Sequence, residues 1–275
     1  MAIPDHLTGD RALLEEISRL HTQTVSLADR VILCRVLSKY LMFADADDFS
    51  VTPHLALNGY WESWTTLAIA RALRPGVHAV DVGANHGYFT VLMADAAGAG
   101  GRVLAIEPNP RLAELVARTL EVNGYSRCAA VLAAAAGASS GIANLVVPRH
   151  RWADASIVRA AASTDEVIAV ETTSVDDAAR AWPRVDFVKV DAEGAEEAIW
   201  AGMTCALRRN RHIVVVMEFK PASYPDPRRF LARIAADGFP LRRIGDDAAI
   251  EPLSDSDAVR GGPGGDWMLF LRRPD

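Results

Sequence analysis

The chain has 275 residues, of which 50% are hydrophobic and 23% charged, and its formal net charge is −6. This size and composition indicate one large globular domain, or one domain with a small appendage. The acidic balance disfavours a nucleic-acid partner, because phosphate contacts need clustered lysine and arginine. The three cysteines are far apart and outside any CxxC spacing, which favours buried reduced thiols over a disulfide framework or a zinc site.

The N-terminal segment lacks a basic stretch followed by an apolar run, and no part of the chain has the ~18 consecutive apolar residues that a membrane span needs. We therefore expect a cytoplasmic protein without membrane contact. Apolar side chains at helical spacing predict helices over residues 9–45, and a second helix is predicted over 58–73 after a polar loop. Residues 1–74 are thus expected to form a helical cap, and residues 75–275 the main domain.

From residue 75 onward, short apolar runs alternate with helical stretches, a pattern typical of a parallel sheet in an α/β fold. The strands predicted for this sheet cover residues 77–82, 102–106, 129–134, 187–190, 213–218 and 267–271. The helices predicted between them cover residues 88–97, 110–123, 195–202 and 228–237. Two further strands, predicted over 142–147 and 166–173, interrupt this rhythm.

The clearest chemical signal is the segment VDVGANHGY over residues 80–88, where the first strand of this sheet turns into a helix. Glycines let the backbone approach a ligand closely, and the helix offers free N–H groups at its N-terminus. In such sheets ligands bind at this carboxyl edge, near the topological switch point. A dinucleotide fingerprint would need glycine where the chain has Asn85 and Tyr88, so a dehydrogenase is disfavoured.

Two acids follow at the ends of later strands. Glu107 closes the strand over 102–106, one βαβ unit after Asp81, and a carboxylate there can accept hydrogen bonds from both ribose hydroxyls of a nucleoside. Asp191 follows the strand that ends at Val190, which in a doubly wound sheet lies beside the first strand. We therefore expect Asp191 to face a bound cofactor.

The segments VDVGANHGYFT, IEPNP, TTSVDD, FVKVDAEGAEEAIWAG and VVVMEF resemble the FkbM-like family of S-adenosylmethionine-dependent class I methyltransferases. The resemblance covers roughly residues 60–220. It implies a Rossmann-like, doubly wound, mostly parallel sheet of seven strands, S-adenosylmethionine as cofactor, and usually O-methylation of a sugar or natural-product hydroxyl. The residues expected to contact the cofactor are Asp81, Gly83, Ala84, Asn85, Gly87, Glu107, Pro108, Asn109, Ala135 and Asp191.

The acceptor end of the site is predicted to consist of Asp191, Glu193 and Glu218, with His86 as a further candidate base. Adjacent parallel strands lie about 4.8 Å apart, so carboxylates at neighbouring carboxyl ends converge. Mutual repulsion should raise one pKa toward a value useful to a base. The same oxygens could hold Mg²⁺ or Ca²⁺, but we favour a metal-free site because no D-D or D-x-D pair stands at this edge.

Other features leave alternatives open. The aromatic residues Tyr60, Trp61 and Trp64 either stack on the acceptor or dock the N-terminal helices. The basic segment 149–151 either meets an anionic acceptor or forms a solvated loop. Methylation of a nucleic-acid base is disfavoured, because the turn Asp191-Ala192-Glu193-Gly194 lacks the prolines common in enzymes of that kind. A small hydroxyl-bearing acceptor is the expected partner, and a non-catalytic module that only binds the cofactor is the alternative of another class.

Overall fold

The computed structural model describes Leu7 and residues 9–274. The elements are, in chain order, α1 (Arg11–His21), β1 (Thr24–Ser26), β2 (Val31–Val36), β3 (Tyr40–Asp45), α2 (Thr52–Asn58), α3 (Ser63–Ala72), β4 (His78–Val82), α4 (Tyr88–Ala97), β5 (Arg102–Ile106), α5 (Pro110–Val122), β6 (Ala129–Leu132), β7 (Ala135–Ala136), β8 (Gly141–Val147), β9 (Glu166–Thr173), α6 (Val175–Ala178), β10 (Phe187–Val190), α7 (Glu196–Ala201), α8 (Thr204–Arg209), β11 (Val214–Phe219), α9 (Pro227–Ala236), β12 (Arg242–Ile244), β13 (Ile250–Pro252), α10 (Asp255–Arg260) and β14 (Trp267–Arg272). None of these helices is long and apolar enough to cross a membrane.

The central sheet has eight strands in the order β13-β12-β14-β11-β10-β4-β5-β6. The strands β11, β10, β4, β5 and β6 run parallel, and the remaining strands β14, β12 and β13 pair in antiparallel fashion. Along the chain, β5 and β6 are added on one side of β4, and β10 and β11 are then added on its other side. The predicted doubly wound, Rossmann-like sheet is confirmed, with eight strands in place of the seven expected.

Side chains of the central strands alternate between two cores, as the pleat of a sheet requires. In β4, Ala79 packs with the N-terminal elements, α3, α4 and α5, whereas Val80 packs with α6 to α9. Helices therefore cover both faces of the parallel strands, which explains their nearly continuous apolar sequences. This arrangement leaves the carboxyl edge of the sheet, between β4 and β10, open for a ligand.

The helical prediction for residues 9–45 is confirmed only for α1. The strands β1, β2 and β3 instead form an antiparallel meander, in which β2 and β3 join through Leu37 and Ser38 at φ values of 50° and 56°. The apolar residues of these short runs fit both a helical and an alternating period, and their valine, isoleucine and aromatic content favours strands. The second helix, predicted over 58–73, is confirmed as α3, which begins at Ser63. The preceding α2 was not predicted, and Gly59 ends it in a left-handed conformation (φ 72°).

The two extra strands predicted in the middle of the chain are confirmed as β8 and β9. They form an antiparallel pair, and the short β7 adds to β9 in parallel, giving a separate sheet β7-β9-β8. Because β7 follows β6 after a few residues, this sheet lies next to the carboxyl edge of the central sheet. It supplies one wall of the site described below.

Candidate active site

The loop between β4 and α4 brings the backbone of two strand ends into direct contact. Gly83 and Gly87 have φ values of 72° and 84°. A Cβ atom on Gly83 would lie 1.7 Å from the carbonyl oxygen of Asp191, so no other residue fits there without moving the next strand. Asn85 also has a positive φ of 52°, which asparagine tolerates better than most residues. The predicted motif therefore forms a tight turn of exposed backbone.

Asp81 lies below this loop and is fully buried. Its Oδ2 atom accepts a hydrogen bond of 2.6 Å from the Thr90 hydroxyl, whereas Oδ1 has no partner among the described residues. Burial raises the pKa of Asp81, and the positive charge of Lys189 opposes that rise. A buried carboxylate oxygen without a donor is unfavourable, so it marks a place where a ligand can donate.

Glu107 connects the ends of β4 and β5. Its Oε2 atom accepts a hydrogen bond from the Asn85 amide at 2.7 Å, and Oε1 accepts one from the Asn109 amide at 2.8 Å. Burial raises the pKa of Glu107 to about 7, in spite of both hydrogen bonds. A carboxylate has about four acceptor positions, so Glu107 retains capacity for the two ribose hydroxyls expected of it.

A narrow cleft of about 50 Å³ opens beside Glu107. Pro108 and Ala135 lie on its walls together with Leu145 and Ile157, which come from β8 and the loop that follows. This cleft is shaped by apolar side chains on both sides and suits a flat ring. The Glu107 carboxylate and the cleft together fit the ribose and adenine parts of S-adenosylmethionine, whereas the fully buried Asp81 does not line the cleft.

A larger cavity of about 800 Å³ adjoins the loop, and we call it the main cavity. The carboxylates of Asp191, Glu193 and Glu218 lie on its wall, with oxygen atoms all within 4.8 Å of one another. Burial and the charge of Asp191 raise the pKa of Glu193 to about 7 and that of Glu218 to about 10. The three acids predicted at this edge are therefore brought together as expected.

The turn that carries two of these acids is held by Glu196. Its Oε1 atom accepts hydrogen bonds from the amides of Ala192 and Gly194 at 2.9 and 3.2 Å. Its Oε2 atom accepts a hydrogen bond of 2.7 Å from the Tyr224 hydroxyl. Glu196 thus fixes the geometry of the turn and does not itself face the main cavity.

Lys189 is a cavity residue that the sequence analysis missed. It is buried in β10, and its Nζ atom lies 3.1 Å from Asp191 Oδ2 and 4.9 Å from the ring centre of Phe89. Burial alone would lower the pKa of Lys189, but Asp191, together with more distant carboxylates, raises it above its usual value. The sequence signal for this residue is a single lysine within the apolar run FVKV, because a charged side chain is rarely buried in a central strand unless it is paired.

Glu62 is a second missed residue, although the aromatic segment around it was noted. It precedes α3 with a φ of 38° and lies on the wall of the main cavity. Its Oε2 atom is buried without a hydrogen-bond partner in the described part of the chain. Burial and the charge of Asp191 raise the pKa of Glu62 to about 7. Asp266 also lies on this wall, and no motif in the sequence indicated it.

His86 lies in the cavity wall but faces the N-terminal segment. Its Nε2 atom is 3.4 Å from the Thr52 hydroxyl oxygen, and its Nδ1 atom is 4.0 Å from Asp48 Oδ2. Burial lowers the pKa of His86, while the charge of Asp48 opposes that change. The His86 side chain is only 1% exposed. It contacts the N-terminal segment and also borders the main cavity.

Two segments form a roof over the main cavity. Residues 49–51 and the loop 149–154 both contribute to its wall. The Phe49 ring stacks on His150 with ring centres 4.7 Å apart, and Asp48 accepts a hydrogen bond of 3.2 Å from the Trp152 amide. Trp61 also reaches the cavity, whereas Arg151 forms an ion pair of 2.7 Å with Asp154.

The remaining predicted cofactor residues divide into two groups. Gly83, Ala84 and Asn85 line the main cavity. Gly87 precedes α4, and the Asn109 side chain accepts a hydrogen bond from the Arg111 amide at the start of α5. These last two residues shape the loops rather than the cavity surface.

Comparison with known proteins identifies the family of the chain. Residues 81–241, more than half of the chain, match the methyltransferase FkbM domain. A segment of 52 residues is 46% identical to the protein-L-isoaspartate O-methyltransferase of Aeropyrum pernix, and it spans 19% of this chain and 20% of that enzyme. Methyltransferase FkbM from Methylobacillus flagellatus KT is similar in structure with a TM-score of 0.44 at 16% identity, over 76% of this chain and 54% of that one. The O-methyltransferase from Bacillus cereus, solved with SAH, gives 0.43 at 16% identity, over 83% and 84%.

Proposed function

The chain belongs to the FkbM family of S-adenosylmethionine-dependent methyltransferases, and we propose that it transfers the methyl group to a hydroxyl oxygen of a small molecule. The observation that carries this proposal is the meeting of three carboxylates, with oxygens within 4.8 Å of one another, on the wall of a cavity of about 800 Å³. A hydroxyl acceptor must lose its proton during methyl transfer, and a carboxylate can accept it. A cavity of this volume fits a small molecule.

S-adenosylmethionine supplies a methyl group bound to a positively charged sulfur, which is already highly electrophilic. The protein therefore has to hold the acceptor oxygen in line with the carbon–sulfur bond and keep water away. As the oxygen–carbon bond forms, the carbon–sulfur bond breaks with its electron pair on sulfur, and the hydroxyl proton passes to a carboxylate. The roof over the main cavity supplies the enclosure.

We propose Asp191 as the carboxylate that takes the proton. The ammonium group of Lys189, 3.1 Å away, compensates the negative charge of Asp191 without competing for the proton of the acceptor. Burial and the neighbouring acids raise the pKa of Glu218, which favours its neutral form, and in that form it can donate a hydrogen bond to a neighbouring carboxylate. We propose that the site works without a metal; a bound Mg²⁺ would instead favour the ionised forms of these acids.

The test compares Asp191→Asn with Glu218→Gln, with Glu166→Gln on exposed β9 as the matched control. We expect Asp191→Asn to lower kcat by about 100-fold or more, because the base is lost. Glu218→Gln should stay within about tenfold of the unmodified protein, because glutamine resembles the neutral acid. Activity should be unaffected by EDTA.

Three outcomes would contradict the proposal. Full activity in Asp191→Asn would exclude this residue as the base and direct attention to His86. Loss of activity in EDTA, restored by Mg²⁺, would show a metal site formed by the same acids. Methyl transfer only to nucleic acid or protein would exclude a small-molecule acceptor.

A further inference from the structure

A second cavity, of about 660 Å³, lies at the opposite edge of the central sheet. Its wall includes Val214, the first residue of β11, and Arg272, which is paired with Val214 in β14. Glu218 is at the other end of β11, four residues along, which corresponds to about 13 Å at 3.3 Å per residue. The second cavity is therefore separate from the candidate active site.

This cavity, which we call the arginine groove, is defined by the residues Arg71, Arg74, Arg242, Arg272 and Arg273. The arginines come from α3, the loop after it, β12, β14 and the segment after β14. Among the lining residues that the structure describes, none is acidic. The groove thus concentrates positive charge on a chain whose net charge is −6, and such a local field attracts anions.

Three of the guanidinium groups are held in place by backbone carbonyl oxygens, and that of Arg74 donates to the carbonyls of Arg71 and Leu73 at 2.7 and 3.1 Å. Arg71 donates to the carbonyls of Ala248 and Gly9 at 3.3 and 2.7 Å. Arg273 donates to those of Asp237 and Leu207 at 3.0 and 2.9 Å. Carbonyl oxygens orient a guanidinium without neutralising its charge, and they use only part of its donor set. Arginines fixed in this way lose little entropy when they bind an oxyanion through paired N–H groups.

The groove also has an apolar surface. Val214, Ile250 and Phe270 are only partly buried, and all three line the cavity. A volume of about 660 Å³ lies within the range of small-molecule sites, which is roughly 300–1,000 Å³. A ligand that satisfies both surfaces combines an anionic group with an aromatic or apolar body.

We propose that the arginine groove binds a phosphorylated small molecule of nucleotide size. Its phosphates contact the arginines, and its ring lies against Phe270 and Ile250. This site does not depend on the identity of the methyl acceptor, because it lies at the opposite edge of the central sheet from the acid cluster.

The test measures binding of ADP and of inorganic pyrophosphate by calorimetry, in protein saturated with S-adenosylhomocysteine so that the adenine of ADP cannot occupy the narrow cleft. We expect both probes to bind, ADP more tightly because its ring adds contacts, and both affinities to fall as NaCl is raised. The double variant Arg74→Ala/Arg242→Ala should weaken both probes by about tenfold or more. Arg233→Ala, on the exposed face of α9, is the matched control and should change neither.

Absence of binding by both probes at millimolar concentration would overturn the proposal. Equal affinity in the double variant and in Arg233→Ala, with unchanged circular dichroism, would also overturn it. Binding of a single-stranded oligonucleotide without binding of ADP would replace the small-molecule site with a nucleic-acid surface. None of these binding measurements depends on methyl transfer, so a failure of this proposal would leave the proposed function unaffected.

Discussion

Three carboxylates of the active site have different compensating partners. Asp81 has the Thr90 hydroxyl, Glu107 has two backbone amides, and Asp191 has the ammonium group of Lys189. These partners stabilise negative charge at fixed positions, although burial still raises the pKa values of Asp81 and Glu107, as it does those of Glu193 and Glu218. The carboxylates of the site therefore differ in how strongly their surroundings favour the charged form.

The raised pKa of Glu107 predicts a pH dependence of cofactor affinity. Ribose hydroxyls donate to the carboxylate, so binding favours its ionised form and lowers its pKa from about 7. Affinity for S-adenosylhomocysteine should therefore rise as the pH increases through about 7, by up to about tenfold per unit below it. Calorimetry between pH 5.5 and 7.5 in a buffer series of roughly constant ionic strength measures this slope.

Glu107→Gln is the matched variant for that experiment, because it keeps the shape of the side chain and removes the titration. We expect it to bind more weakly at pH 7.5 by about tenfold to a hundredfold, and to show a smaller slope. Glu121→Gln, on the exposed face of α5, serves as the control. Equal slopes in Glu107→Gln and in the unmodified protein would show that Glu107 does not contact the ribose.

Among the helices and strands, the predicted bounds are most accurate where turn-forming or charged residues flank an apolar run. The bounds of β5, α4, β9 and β10 agree with the prediction, because glycine, proline or acidic residues flank them. The strands β1 to β3 were predicted as helical, since short apolar runs fit two periods and the pairing that selects strands joins residues distant in the chain.

The candidate site likewise contains residues that the sequence predicts and residues that it does not. Asp81, Glu107 and Asp191 were predictable, because each lies within the last two residues of an apolar strand or directly after it, near the carboxyl edge. Glu62 and Asp266 were not, because they come from the start of α3 and from the loop before β14, and only tertiary packing brings them to the main cavity.

We expect the roof over the main cavity to affect binding of the acceptor and not binding of the cofactor. Phe49 is 63% exposed at the main cavity and stacks on His150, so its ring is available to an acceptor. Phe49→Ala should raise the KM for the acceptor by about tenfold while leaving cofactor affinity within about twofold. Leu57→Ala is the matched control, because Leu57 is 76% exposed and does not line the main cavity. A parallel loss of cofactor affinity in Phe49→Ala would assign the roof to cofactor binding instead.

At the scale of the whole molecule, the N-terminal elements share a core with the main domain. Leu14, Met42 and Leu55 pack in the same cluster as Val91 and Leu92 of α4. Deletion of residues 1–55 would therefore expose the core of the sheet, so a point variant such as Phe49→Ala is the sharper test of the roof.

Asp95 of α4 provides a test of this shared core. Its carboxylate, 1% exposed, accepts hydrogen bonds from Lys39 at 2.6 Å and from the hydroxyls of Tyr40 and Tyr125 at 3.0 Å each. Asp95→Ala should lower the free energy of unfolding by about 3 kcal/mol, because it leaves buried donors unpaired. Urea denaturation measures this, with Glu114→Ala on α5 as the control. A loss below about 1 kcal/mol would indicate that the meander is only loosely attached.

The central claim is methyl transfer to a small hydroxyl-bearing molecule. It is tested most directly by incubating the protein and S-adenosylmethionine that carries an isotope-labelled methyl group with a metabolite extract, followed by mass spectrometry of the small-molecule fraction. We expect label in an O-methyl ether, present with the unmodified protein and with Glu166→Gln and strongly reduced with Asp191→Asn. Label found only on nitrogen, only in nucleic acid or protein, or to the same extent with Asp191→Asn would contradict it.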